Sequence, residues 1–133
     1  MLVTDDEVIN QMILKELLKS SSYQVTLASS GEEAIQYFKK EEFFPFIIVD
    51  FNMPKMNGIA TVAEIRHLEK EAKSYIIGLI DCDDPNYLKK GLESGMNEVY
   101  TKPINKEFID KICVDITIDD ASKLNKNHFG INC

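Results

Sequence analysis

Long hydrophobic runs are missing from this 133-residue sequence. The longest apolar stretch, Phe43 to Val49, is broken by Pro45 and is far too short to cross a bilayer. No basic segment followed by an apolar one opens the chain, so there is no secretory signal to read. Paired cysteines are missing as well. Cys82, Cys113 and Cys133 show neither CxxC spacing nor an even-numbered framework, which points to reduced thiols. Positive charge is in short supply, with 15 Lys and Arg against 22 Asp and Glu and a net charge of −7. That balance argues against a nucleic-acid-binding surface. There is no internal repeat and no low-complexity tract. These absences together lead us to expect a cytoplasmic domain that binds no nucleic acid and does not itself insert into a membrane.

What is present suits one compact domain: 44% hydrophobic residues, 28% charged, and enough length to bury a sizeable core. Leu2-Val3-Thr4 reads as a short strand running into Asp5-Asp6. The helix after it carries Ile9, Met12, Ile13 and Leu17 on one face at helical spacing, and Ser20-Ser21-Ser22 stops it. Tyr23 to Ala28 alternates as an edge strand does. Ser30-Gly31-Glu32-Glu33 is a capping box that opens a second helix with Ala34, Ile35 and Phe38. Phe46-Ile47-Ile48-Val49 is continuously apolar, the pattern of a central strand covered on both faces, and it ends at Asp50.

After an Asn52-Met53-Pro54 loop and an Asn57-Gly58 turn, a third helix places Ile59, Val62, Ile65 and Leu68 on a stripe. Tyr75 to Ile80 is a further buried strand ending at Asp81. Pro85 starts a fourth helix with Leu88 and Leu92 inward, Glu98 to Thr101 forms a short fifth strand, and a fifth helix carries Phe108, Ile109, Ile112 and Ile116. Five strands alternating with five helices predict a doubly wound parallel sheet of order 2-1-3-4-5, with ligands at the carboxyl ends of its strands. The domain is expected over 1–118, and the polar, aperiodic segment 119–133 reads as a tail or linker. The brevity of the first strand suggests a piece of a longer chain.

In such a fold Asp5, Asp6, Asp50 and Lys102 fall on one rim of the sheet although they are far apart in sequence. Crowded carboxylates raise one another's pKa values unless a cation neutralises them. Hard oxygen ligands with open positions suit Mg²⁺, and a lysine beside them can pair with a phosphoryl oxygen. The chemistry this suggests is attack of a carboxylate on phosphorus, giving an aspartyl phosphate. For Asp5 and Asp6 the plainer alternative is a favourable interaction with the following helix dipole. His67 reads as part of a solvated face, Cys82 as an inert thiol, and His128 carries no readable role.

The segments Asp5-Asp6, Val49 to Gly58 and Thr101-Lys102-Pro103 resemble the response-regulator receiver (CheY-like) family over residues 2 to about 116. The Gly95-Met96-Asn97 turn is similar to that of receivers in hybrid histidine kinases. The resemblance implies that Asp50 is the phosphoacceptor and that Asp6 and Asp50 bind Mg²⁺ through their side chains. It further implies that Asn52 supplies a backbone carbonyl, that Asp5 acts through water, that Lys102 contacts the phosphoryl group, and that the Lys102-Pro103 bond is cis. The partner implied is a histidine kinase or a histidine phosphotransfer protein.

Two positions depart from the family pattern. Ile80 stands where receivers carry Thr or Ser, and Val99 stands where an aromatic residue changes rotamer. Tyr100 does not replace that aromatic, because neighbouring strand residues point to opposite faces. The phosphoacceptor set is therefore whole while the usual readout is not, which suits a relay station. The competing reading is a pseudo-receiver that binds partners through its fourth helix, fifth strand and fifth helix whether or not it is phosphorylated. A haloacid-dehalogenase-type phosphatase would want a carboxylate at Asn52. A flavin carrier would want a phosphate loop where Asp5-Asp6 stands.

Overall fold

The computed structural model describes residues 1–20, 24–40, 43–53, 55–81, 84–102 and 107. Tyr23, Pro54, Cys82, Pro103, the expected fifth helix and the segment from Asp119 lie outside the described residues. Strands β1 (Leu2–Thr4), β2 (Thr26–Ala28), β3 (Phe46–Asp50), β4 (Tyr75–Ile80) and β5 (Glu98–Thr101) alternate with helices α1 (Val8–Leu17), α2 (Gly31–Lys39), α3 (Gly58–Leu68) and α4 (Pro85–Ser94). All strand pairs are parallel and the order is β2-β1-β3-β4-β5, as expected. Ile48 pairs with Val3 on one side and Ile77 on the other, so β3 is the centre of the sheet.

Alternation along the strands divides the core in two. Leu2, Ile47, Val49, Ile76 and Ile80 face α2, α3 and α4, where they meet Ala34, Ile35, Val62 and Ile65. Val3, Phe46, Ile48, Ile77 and Leu79 face Leu14 of α1 and Leu18 in the turn that follows it. All five residues of β3 are buried, which is why that segment contains no polar residue before Asp50. Each of its aliphatic side chains contributes roughly 1.5–3 kcal/mol by leaving water.

Local signals set the helix starts. Ser30 Oγ accepts from the Glu33 amide, as in a capping box, while the Glu33 carboxylate reaches back to the Ser29 amide instead of that of Ser30. Asn57 caps α3 by accepting from Ala60, and Pro85 occupies the first turn of α4. At Gly58 a Cβ would stand 2.5 Å from the Asp50 carbonyl oxygen, so only glycine lets α3 begin against the end of β3.

Two expected faces are corrected. Of the Ile9, Met12, Ile13 and Leu17 face, Leu17 packs against the core while Ile9, Met12 and Ile13 point outward, with Ile9 71% exposed; Gln11, Leu14 and Leu18 point inward instead. Gln11 turns the helix this way because its amide reaches the Asp5 carbonyl at 2.6 Å and Ser29 Oγ at 3.2 Å. Leu92 is likewise exposed, because α4 approaches the sheet through Gly91. A methyl at Gly91 would meet the Phe51 ring at 2.6 Å, and one at Gly78 would meet the same ring at 2.6 Å. The Phe51 ring and the Met96 side chain thus fill the room that two glycines leave.

At the amino ends of β4 and β5 a charge cluster ties α3 to the sheet. Arg66 donates to the Gly95 and Ser74 carbonyls, to Asn97 Oδ1 and to the Glu69 carboxylate. Glu69 also accepts from the Ser74 amide at 2.6 Å, and Asn97 Oδ1 from the Ile76 amide at 2.7 Å.

Candidate phosphoacceptor site

The carboxyl ends of four adjacent strands converge at the opposite end of the sheet. Asp5 follows β1, Asp50 ends β3, Asp81 follows β4 and Lys102 follows β5. Backbone hydrogen bonds continue the sheet by one step and hold these positions. The Asp5 amide donates to Ala28 at 3.0 Å, Phe51 to Leu79 at 2.9 Å, and Lys102 to Ile80 at 2.7 Å.

The sequence-predicted residues come together here. One carboxylate oxygen from each of Asp5, Asp6 and Asp50 lies within 4.8 Å of the others. Lys102 Nζ stands 3.0 Å from Asp50 Oδ1. Asp50 is 1% exposed, and burial pushes its carboxyl up to about 6, against the opposing pull of the Lys102 hydrogen bond. Burial also raises Asp5, against the hydrogen bond that its carboxylate accepts from the Glu7 amide. Burial of Lys102 works against its charged form, yet the pairing with Asp50 outweighs it and holds the ammonium above its ordinary value.

Donor chemistry fits a hard divalent cation. Asp6 Oδ1 is a buried oxygen with no hydrogen-bond partner, and it belongs to the three-carboxylate group. An acceptor left unpaired in this way costs stability unless something positive completes it. Asn52 meets the cluster through its amide, which donates to Asp50 Oδ1 at 3.2 Å, while its side chain turns to Asp81. The departing positions lie where the sequence puts them. Ile80 is 2% exposed in the β4 core, and Val99 packs on the same side as Phe51, while Tyr100 belongs to the other face.

Asp81 is a site residue that the sequence reading named only as the end of a strand. Its Oδ1 is 3.5 Å from Lys102 Nζ, and its Oδ2 accepts from Asn52 Nδ2 at 2.6 Å. An acid directly after an apolar strand marks the rim, but its pairing with Lys102 and Asn52 has no sequence signal.

The response regulator receiver domain family model matches residues 1–113. The chain belongs to this family. The receiver is 29% identical to a Dictyostelium discoideum hybrid signal transduction histidine kinase, the alignment taking in 98% of this chain and 8% of the kinase. It also resembles the Saccharomyces cerevisiae receiver domain of a response regulator crystallised with a histidine phosphotransfer protein. There the TM-score is 0.79, with 28% identity over 90% of this chain and 89% of that one. A Pseudomonas aeruginosa sensor-kinase receiver with magnesium coordinated in its active-site cleft superposes with a TM-score of 0.74, at 27% identity, covering 84% of this chain and 91% of that chain. Among the described residues of the receiver, no helix is long and apolar enough to cross a membrane.

Proposed function

We propose that this receiver accepts a phosphoryl group from a phospho-histidine donor onto Asp50, with Mg²⁺ held by Asp6 and Asp50. The observation that carries the reading is the pairing of a buried carboxylate with Lys102 at 3.0 Å beside two further carboxylates. In the transfer, the donor's N–P bond breaks as an Asp50 carboxylate oxygen bonds to phosphorus, and the histidine nitrogen keeps the electron pair. Lys102 follows its charge from Asp50 to a phosphoryl oxygen. Asp5 fixes the start of α1 through the Glu7 amide and would face the cation through water, and Asn52 would offer it a backbone carbonyl. A bound Mg²⁺ supplies the positive charge that offsets the phosphoryl oxygens.

A histidine kinase or phosphotransfer protein is the donor this reading requires, acting in the cytoplasm. The outward stripe of Val8, Ile9, Met12 and Ile13 begins two residues beyond Asp6 and offers such a donor an apolar face beside the rim. The related receiver crystallised with a histidine phosphotransfer protein supports that class of partner. Residues 1–118 are taken as the receiver and 119–133 as its tail.

Incubation with acetyl phosphate and Mg²⁺, followed by intact-protein mass measurement, tests this. The wild type is expected to gain one phosphoryl group; Asp50→Asn and metal-free wild type are expected to gain none. Uptake by Asp50→Asn at the wild-type level would sink the assignment.

Ile80 and Val99 favour a second reading, a pseudo-receiver that binds partners irrespective of phosphorylation, since neither side chain offers a hydroxyl or a ring to report the event. Mg²⁺ affinity separates the two. Binding that disappears in Asp50→Asn supports the acceptor, and no measurable binding by the wild type supports the pseudo-receiver.

A further inference from the structure

Asp81 closes a ring. Asp50 Oδ1 pairs with Lys102 Nζ, Lys102 with Asp81 Oδ1, Asp81 Oδ2 with Asn52 Nδ2, and the Asn52 amide with Asp50 Oδ1. The ring joins the ends of β3, β4 and β5, and its two carboxylates differ sharply in setting. The Asp50 side chain is 1% exposed, whereas that of Asp81 is 61% exposed at the solvent edge. An oxyanion approaching Asp50 from solvent therefore meets a carboxylate that already engages two nearby donors, the Lys102 ammonium and the Asn52 side-chain amide. Ile80, immediately before Asp81, adds no hydroxyl to offset that negative charge.

We propose that Asp81 is a positioning residue that shares Lys102 with Asp50 and so sets the balance between the cation and the phosphoryl group at this site. Drawn part-way towards Asp81, Lys102 neutralises Asp50 less, which favours Mg²⁺. A phosphoryl group must then take Lys102 away from Asp81 and approach against its charge, which slows uptake from small anionic donors. A protein donor that carries a cationic side chain beside its phospho-histidine would meet Asp81 as a complement instead of an obstacle. The inference rests on the acceptor reading of Asp50.

The test compares wild type, Asp81→Asn and Asp50→Asn in two measurements: Mg²⁺ affinity by calorimetry, and the rate of phosphoryl uptake from acetyl phosphate at saturating Mg²⁺. In that uptake the bond from phosphorus to the acetate oxygen breaks, and acetate leaves with the electron pair. Asp81→Asn keeps the shape of the side chain and removes its charge. A unit charge at about 4 Å in a water-like medium is worth roughly a fivefold change. The expected result is Mg²⁺ affinity lowered about fivefold and uptake accelerated about fivefold, with both effects shrinking as salt is raised.

A purely structural role would weaken both quantities together, and that outcome would overturn the proposal. So would unchanged uptake in Asp81→Asn while the wild type is phosphorylated on Asp50, an outcome that leaves the acceptor reading standing. Uptake by Asp81→Asn alone would support the proposal in its strongest form, with the wild-type site closed to small donors. No uptake by either protein would remove the acceptor reading and the proposal with it.

Discussion

The two ends of the sheet each hold a cluster of charged groups, and they are built on opposite terms. At the amino ends of β4 and β5, Arg66 meets one carboxylate, two backbone carbonyls and a side-chain amide oxygen, and Glu69 is closed off by Arg66 and the Ser74 amide. At the carboxyl ends, Lys102 pairs with Asp50 and Asp81, Asp5 and Asp6 stand beside Asp50, and Asp6 Oδ1 has no partner. The first cluster is complete within the chain. The second, among the described residues, is short of positive charge. A protein gains stability by satisfying buried charge, so a buried cluster left unsatisfied is where a binding function is to be sought.

Loss of one member should be felt most at the complete end. Arg66→Met leaves the Glu69 side chain, 1% exposed, without its cation. The expected cost is about 3–5 kcal/mol in urea unfolding, and a loss under 1 kcal/mol would put the two ends on the same footing. The reverse sign is expected at the other end. Asp50→Asn should stabilise the metal-free domain by roughly 1–3 kcal/mol near neutral pH, because it removes a buried charge that the wild type struggles to accommodate.

That gain should depend on pH. With its carboxyl raised to about 6 in the folded state, Asp50 holds its proton better folded than unfolded. Its stabilising contribution is present below about pH 4 and is lost as the pH climbs through 6. Wild type and Asp50→Asn should therefore converge below about pH 4, draw apart between pH 4 and 6, and keep a constant difference above that.

Smaller effects sharpen the contrast. Mg²⁺ at about ten times its dissociation constant should stabilise the wild type by about 1.4 kcal/mol, do nothing for Asp50→Asn, and stabilise Arg66→Met as it does the wild type. Ser30→Ala, which removes a neutral cap, sets the scale for a hydrogen bond without ionic character. It should cost about 1 kcal/mol with or without Mg²⁺, and a metal-dependent cost would show that the site reaches further than its rim.

Much of this was legible in the residues. Strands β3 and β4 announce themselves as apolar runs stopped by an acid, and the caps at Ser30 and Pro85 lie where the sequence reading puts them. Parallel pairing of those strands brings their acidic ends to one rim. Three features were not legible, each for a physical reason. Helix α1 carries apolar residues on two adjacent stripes, and periodicity cannot say which one turns inward; the hydrogen bonds of Gln11 decide it. Leu92 looked like a core residue because nothing in the spacing shows that α4 approaches through a glycine. Asp81 looked like a strand terminator because a pairing with Lys102 and Asn52 is a property of distances across the sheet, which sequence separation does not contain.

The Phe51 ring adjoins the acceptor in sequence and lies against Gly78 on β4 and Gly91 on α4. Ring and glycines share a single volume, so the three positions are tied in inheritance. A larger residue at 78 or 91 must displace the Phe51 ring and Met96 Sδ beside it, and a sequence that changes one member should be found to have changed another. Residues 27 and 40 positions distant from Phe51 are in this sense its nearest neighbours.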